Sequence, residues 1–134
     1  MNNRPPAIDP ALVHEIVLKA HGDLARVQEL LTQEAALANA AWDWGGGDWE
    51  SALGSAAHMG RRDIAEALLA HGARLDIFAA AMLGELAIVQ AILTAFPAMS
   101  NAAGPHGIPL IVHAQQGGAA AQAVMDFLEQ KTGK

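Results

Sequence analysis

Apolar residues recur along this chain with the three-to-four-residue spacing of amphipathic helices. The spacing predicts a first helix over ALVHEIVLKA, which begins after Asp9-Pro10 and ends at Gly22. An aspartate can cap free backbone N–H groups, and proline suits the first helical position. Asp23 then begins a second helix. Its apolar stripe consists of Leu24, Val27, Leu30 and Leu31.

The same pattern returns three more times. Gly60, Gly84 and Gly117, like Gly22, each separate two apolar helical stretches. Asp63 and Asp76 are predicted to cap later helices. A helix pair copied in this way cannot bury its apolar faces alone, so neighbouring copies must stack. The glycines are unequally spaced, which we interpret as variation in the connecting loops.

The 134 residues are predicted to form one domain. Polar, proline-rich residues 1–8 are expected to be a flexible arm. The first loop contains WDWGGGD, which excludes a helix interior. The link GARLD is much shorter. The predicted repeats cover about 10–48, 49–75, 76–107 and 108–131.

The segment SALGSAAHMG, residues 51–60, resembles an ankyrin repeat, whose unit begins Thr-Pro-Leu-His-x-Ala-Ala-x-x-Gly. Ser51 stands in for the threonine and Gly54 replaces the histidine. The segment IPLIVHAQQG, residues 108–117, keeps the proline, leucine, second alanine and glycine, but His113 stands where an alanine is expected. HGARLD resembles the Gly-Ala ending of the unit. The matching residues of the first segment are Leu53, Ala56, Ala57 and Gly60.

Over nearly all of residues 10–131 the chain is similar to small bacterial ankyrin proteins of uncharacterised role. The resemblance implies an all-α fold: a short ankyrin-like solenoid of about four helix pairs with reduced β-hairpin fingers. It also implies non-catalytic binding of a protein or peptide, through finger tips and the exposed face of the inner helices. A finger missing between Leu75 and Ile77 would leave a gap in that surface.

The three tryptophans of the chain lie within eight residues, around the glycine-rich loop. Aromatic side chains on a projecting loop supply the apolar area that a binding hot spot needs. Asp43 and Asp48 would add negative charge suited to a basic partner. Alternatively, the indoles fold back over the first helices. We expect that packing for Trp42 and Trp49, whereas Trp44 is expected to be exposed and to anchor a partner.

The two positions before each repeat glycine line the concave face in the family. Met59 and Met82 would offer adaptable contacts there, with packing between repeats as the alternative. The predicted partner-binding residues are Trp42, Asp43, Trp44, Asp48, Trp49, His58, Met59, Met82, His106, His113, Gln115 and Gln116.

Six histidines raise the question of a metal site. No two have the i, i+4 spacing used by zinc hydrolases, and there is no HExxH motif, so no metal ligands and no cofactor are predicted. Capping or hydrogen-bonding roles are expected instead. His113 replaces a small buried residue and needs partners for its ring nitrogens. The alternative function is a small-ligand or metal-responsive binding protein that uses His106 and His113.

Composition excludes several classes of protein. The net charge of −6, with a single basic pair at Arg61-Arg62, argues against nucleic-acid binding. The lack of cysteine removes disulfides and thiolate chemistry. No nucleotide-binding or hydrolase motif occurs, so no enzyme is expected. Without a signal-like or membrane-length apolar run, the chain is predicted to be cytoplasmic and monomeric. Self-association through the terminal apolar faces is a further alternative.

Overall fold

The computed structural model describes residues 3–132, which are mostly helical. Among them, eight helices follow one another in four pairs, and one two-stranded hairpin lies between the first and second pairs. The predicted all-α class is confirmed at this level. The helices are α1 Pro10–Lys19, α2 Leu24–Gln33, α3 Ala52–His58, α4 Arg62–Ala70, α5 Ile77–Leu83, α6 Leu86–Ala95, α7 Leu110–Gln116 and α8 Gln122–Thr132. The strands are β1 Ala41–Asp43 and β2 Trp49–Ser51. Single 3-10 turns cover Ala35–Asn39, Pro97–Asn101, Pro105–Gly107 and Gly118–Ala121.

Side-chain caps begin several of these helices where the sequence predicts them. Asp9 accepts from the N–H of Ala11 at 2.9 Å, and Asp23 accepts from that of Arg26 at 3.1 Å. Asp76 caps α5 in the same way. Each cap satisfies a backbone donor that the first helical turn leaves unpaired.

The predicted cap at Asp63 is wrong, because α4 already begins at Arg62. Asp63 therefore lies in the first turn of α4, where its carboxylate pairs with the Arg61 guanidinium at 2.8 Å. A carboxylate in a first turn still complements the positive end of the helix.

The first helices of the pairs, α1, α3, α5 and α7, pack in chain order to form an inner row. The row is bent, because α3 also contacts α7 directly. Glycines in two of the turns permit close packing against the end of α7 and the turn that follows it. Gly60 and Gly84 have φ of +68° and +80°, and a Cβ on either would meet the backbone carbonyl of Gln116 or Ala120. The four repeat glycines thus mark turns within pairs, as predicted.

Two apolar cores lie along the stack. The larger one joins the first two pairs and includes Ile16, Leu30, Leu53 and Leu68. The second joins the last two pairs. Of the predicted flexible arm, residues 3–8 are described, and Ile8 packs against the larger core. Residues 1–2 lie outside the described range.

The predicted tryptophan loop is a β-hairpin. Its strands pair antiparallel, with Trp42 opposite Glu50 and Asp43 opposite Trp49. Gly45, Gly46 and Gly47 form the tip, and all three have positive φ. By contrast, residues 73–76 form a short link without strands, as the sequence predicts.

None of the helices within residues 3–132 has the length and hydropathy needed to cross a membrane.

Candidate metal centre

Four side chains from separate parts of the chain meet beside α1 and α3, the first two helices of the inner row. They belong to His21, Glu50, His58 and His106. One nitrogen or oxygen atom from each lies within 4.8 Å of the corresponding atoms of the other three. This cluster is hereafter called the histidine centre.

The stacking of the helices creates this meeting point. His21 lies in the turn after α1, and His58 is the last residue of α3. Because α1 packs against α3, these two rings come together with their centroids 5.0 Å apart. His106 comes from the loop between α6 and α7, and its ring lies 5.7 Å from that of His58. The bend that brings α7 to α3 also brings this loop to the centre.

Glu50, the middle residue of β2, is only 1% exposed and receives several donors. Its Oε2 lies 2.8 Å from Nε2 of His58, and its Oε1 accepts from Nε1 of Trp44 at 2.8 Å. Burial raises the pKa of Glu50, but hydrogen bonds from His21 and His58 outweigh burial and hold the pKa well below its ordinary value. The carboxylate is therefore ionised although it is buried.

Two histidines of the centre are oriented by acceptors on their outer sides. Nδ1 of His21 donates to the carbonyl oxygen of Leu18 at 2.9 Å. Nδ1 of His106 donates to Oδ2 of Asp48 at 2.6 Å. Because a carbonyl and an ionised carboxylate can only accept, Nδ1 must carry the hydrogen in both rings. A neutral imidazole then has its lone pair on Nε2.

In both rings it is Nε2 that faces Glu50. Nε2 of His21 lies 3.3 Å from Glu50 Oε1, and Nε2 of His106 lies 3.4 Å from the same oxygen. A lone pair on Nε2 and the carboxylate would repel each other. A hydrogen on Nε2 or a cation bound between the two atoms makes the contact attractive. The hydrogen bond to Glu50 raises the pKa of His21, because the carboxylate stabilises the positively charged form of the ring.

The backbone of His106 has an unfavourable conformation. Its φ and ψ are 60° and 20°, and no other residue except glycine within residues 3–132 has a positive φ. Such conformations cost free energy and concentrate at functional sites. Asp48 compensates, because its Oδ1 accepts from the backbone N–H of His106 at 2.7 Å.

The spacing of the donor atoms suits a metal ion. Zinc binds imidazole nitrogen at about 2.0–2.1 Å, which places neighbouring tetrahedral ligands about 3.4 Å apart. The separations from Glu50 Oε1 to His21 and His106, 3.3 and 3.4 Å, already have this size. The four ligand atoms as a set lie within 4.8 Å of one another, so binding requires them to draw together. Three imidazoles with one carboxylate suit divalent ions such as Zn²⁺, Fe²⁺, Co²⁺ and Ni²⁺.

The tryptophans are arranged differently from the prediction. Trp44 is half-buried, and its ring lies beside those of His14, His21 and His106. The prediction that Trp44 is exposed is therefore wrong, and so is the predicted packing of Trp49, which is 62% exposed. The predicted packing of Trp42 is confirmed, since it contacts the larger core. The hydrogen bond to Glu50 is what draws the Trp44 indole inward.

The other predicted binding residues divide by burial. Met59, Gln115 and Gln116 are exposed, whereas Met82 and His113 are buried and cannot meet a partner at the surface as predicted. For Met82 the alternative of packing between repeats is confirmed, whereas surface contact by His113 is wrong, because α5 and α7 pack against each other in the inner row.

Two further expectations change. Asp43 is committed to its own hairpin, where it accepts from the N–H groups of Gly45 and Gly47. His106 and His113 do not form the predicted joint site, because His106 joins the histidine centre without His113. His113 donates through Nδ1 to the Pro109 carbonyl, and its Nε2 has no partner among the described residues.

The prediction of no metal ligands relied on histidine spacing along a single helix. His21 instead stands one residue before Gly22, and His58 stands two residues before Gly60, in adjacent pairs. Positions near corresponding turns become neighbours in space when repeats stack. This repeat register was available in the sequence, whereas nothing in the sequence indicated that the loop of His106 reaches the same place.

Comparisons with known proteins give no indication of the function. The family resemblance inferred from sequence motifs gains no support from them. No family model, no curated protein and no solved structure matches the chain significantly.

Proposed function

We propose that the protein binds a divalent transition-metal ion through His21, Glu50, His58 and His106. The supporting observation is that acceptors on Nδ1 turn Nε2 of His21 and His106 toward the buried carboxylate of Glu50. A cation at the histidine centre is attracted by this carboxylate and by the lone pair of each deprotonated ring. Protons and metal ions therefore compete for the same position, as is general for imidazole ligands.

The surroundings of the centre resemble those of metal sites in another respect. Ligating histidines usually donate their second nitrogen to a carboxylate or carbonyl, which fixes the ring and strengthens the ligand. Asp48 and the Leu18 carbonyl have this role for two of the three rings. Trp44 holds the carboxylate ligand. Such preorganisation lowers the cost of assembling the site.

A competition titration tests the proposal. Protein freed of metal by a chelator is titrated with Zn²⁺ in the presence of a chromogenic chelator. We expect one equivalent to bind to the unmodified chain, and His58→Ala to weaken binding by at least about tenfold. Circular dichroism confirms that the variant is folded.

The matched control is His71→Ala. His71 is exposed at the end of α4, outside the centre, and its Nδ1 bonds only to the carbonyl of Ala67. This variant should bind Zn²⁺ like the unmodified chain. If both variants bind equally well, or if the unmodified chain takes up no Zn²⁺, the proposal is wrong.

We also infer that the scaffold is an ankyrin-like solenoid. Three features support this inference. The first helices of the four pairs pack in chain order, a hairpin finger follows the first pair, and no finger follows the second. The direct contact of α3 with α7 makes the stack more curved than a straight array.

Binding of a protein or peptide is a second candidate function, which the exposure of Trp49 favours. The indole lies between two clefts. One, of about 430 Å³, is formed with the loop at Gly104 and Pro105, and the other borders Ile8 and Val13. Trp49→Ala should abolish capture of a cellular partner by immobilised protein. Retained capture of that partner would exclude a role for this surface.

A further inference from the structure

We propose that the histidine centre keeps an open coordination position on its solvent side, which takes a water molecule or a small anion. This inference rests on the proposed metal binding. It assigns the centre to the class of open sites that exchange a ligand, rather than to the closed sites that only hold a fold together.

The exposure of the four side chains is strongly uneven. The side chain of Glu50 is 0% exposed, whereas those of His58, His21 and His106 are 12%, 25% and 35% exposed. An ion held among these atoms is therefore covered on the carboxylate side and approachable between the imidazoles. Closed structural sites surround their ion with protein on all sides.

The donor count leaves room for another ligand. The centre offers three imidazole nitrogens and one carboxylate, and Oε1 of that carboxylate already accepts from Trp44 at 2.8 Å. Co²⁺ and Fe²⁺ readily take five or six ligands, and zinc sites can expand to five. Solvent is the available source of the additional donors.

The charge of the centre favours an anion in that position. A divalent ion bound by neutral imidazoles and the single carboxylate of Glu50 retains one net positive charge. Asp48 offsets part of this charge from outside the centre, but both of its oxygens are bonded to His106, so it takes no position on the ion. Small anions such as azide, thiocyanate or a carboxylate therefore match the open position, since a bound cation is the largest local charge in such a site.

The Co²⁺-loaded protein provides the test, because the visible spectrum of Co²⁺ reports its coordination. Azide is titrated into the loaded protein, and thiocyanate is used in a parallel experiment. We expect a saturable change in the visible spectrum with each anion. A Co²⁺ spectrum that stays unchanged up to high anion concentration would show a closed site and overturn the inference.

Two variants separate this outcome from failure of metal binding itself. His71→Ala removes a surface histidine that could bind Co²⁺ and azide nonspecifically, and its anion response should equal that of the unmodified chain. His58→Ala should lose the Co²⁺ spectrum. Absence of any Co²⁺ spectrum in the unmodified chain contradicts the metal proposal, whereas a stable but anion-insensitive spectrum contradicts only the open position.

Discussion

Asp48 holds His106 from two directions across 58 positions of sequence. One carboxylate oxygen accepts from the backbone N–H of His106 at 2.7 Å, and the other accepts from its Nδ1 at 2.6 Å. The backbone bond, followed by the side-chain bond, holds the pKa of Asp48 below its ordinary value. This pair fixes a histidine in an unfavourable backbone conformation and determines which ring nitrogen faces Glu50.

Asp48→Asn is expected to weaken Zn²⁺ binding by about 10- to 100-fold, the usual effect of losing such a supporting carboxylate. The amide retains one acceptor oxygen, so it cannot serve both donors of His106. The measurement is the competition titration. Asp43→Asn, in the same hairpin but bonded only to the tip, should leave the affinity unchanged. Equal losses in the two variants would show that the hairpin, not the pair, matters.

Trp44→Ala and Trp49→Ala should differ in their effect on stability. Trp49 is exposed, so its truncation should change the free energy of unfolding by no more than about 0.5 kcal/mol. Trp44 packs among histidine rings and bonds to Glu50, and its loss should cost more than about 1.5 kcal/mol. Urea unfolding of the metal-free proteins measures both. A larger loss for Trp49 would contradict this arrangement.

His113 makes stability depend on pH. Burial lowers the pKa of His113, and the hydrogen bond to the Pro109 carbonyl opposes this effect without cancelling it. The folded state therefore binds this proton less readily than the unfolded state. The stability from neutral His113 is fully present above the ordinary histidine pKa of about 6.5. It is lost as pH falls from there through the lowered pKa of the folded state.

His113→Leu should consequently reduce the loss of stability between pH 7.5 and pH 5. The substitution also removes the unpartnered Nε2 but gives up the bond to the Pro109 carbonyl. Urea unfolding at the two pH values, compared with the unmodified chain, isolates the effect. An unchanged difference between the two pH values would mean that His113 does not contribute.

Gly84→Ala should destabilise the protein more than Gly46→Ala. Both glycines have positive φ, of 80° and 63°, so alanine costs about 1 kcal/mol at either position. At Gly84 the new Cβ also meets the Ala120 carbonyl, whereas at Gly46 it meets nothing within 4 Å. The collision should add about 1–3 kcal/mol. Thermal unfolding measures the difference, and equal melting temperatures would exclude the close approach of the last two pairs.

Local chemistry explains what the sequence could predict about the fold. Helix caps and turn glycines act within a few residues, so the sequence alone predicts them. The caps at Asp9, Asp23 and Asp76 are examples. The predicted cap at Asp63 was wrong because a capping residue and an acidic residue in the first turn occupy neighbouring positions and have similar chemistry. The number of helix pairs follows from the repeated apolar stripes.

The histidine centre was much less predictable, because its parts meet only through packing. Glu50 alone gave no sign of burial, since a glutamate normally faces solvent. Its partners come from two helix ends and a distant loop. Trp44 was misjudged for the same reason: its indole turns inward for a bond to that hidden carboxylate. The spacing of residues along one helix does not predict which side chains from different elements come together.

The bend of the inner helix row has a consequence for how the chain unfolds. In a straight array of repeats the terminal units can come apart one by one, since each touches only its neighbours. Here the hairpin after the first pair is joined to the loop before the fourth through Asp48, Glu50 and His106. A cation at their meeting point links both halves of a cysteine-free chain, so that its N-terminal and C-terminal parts are expected to melt in a single cooperative transition.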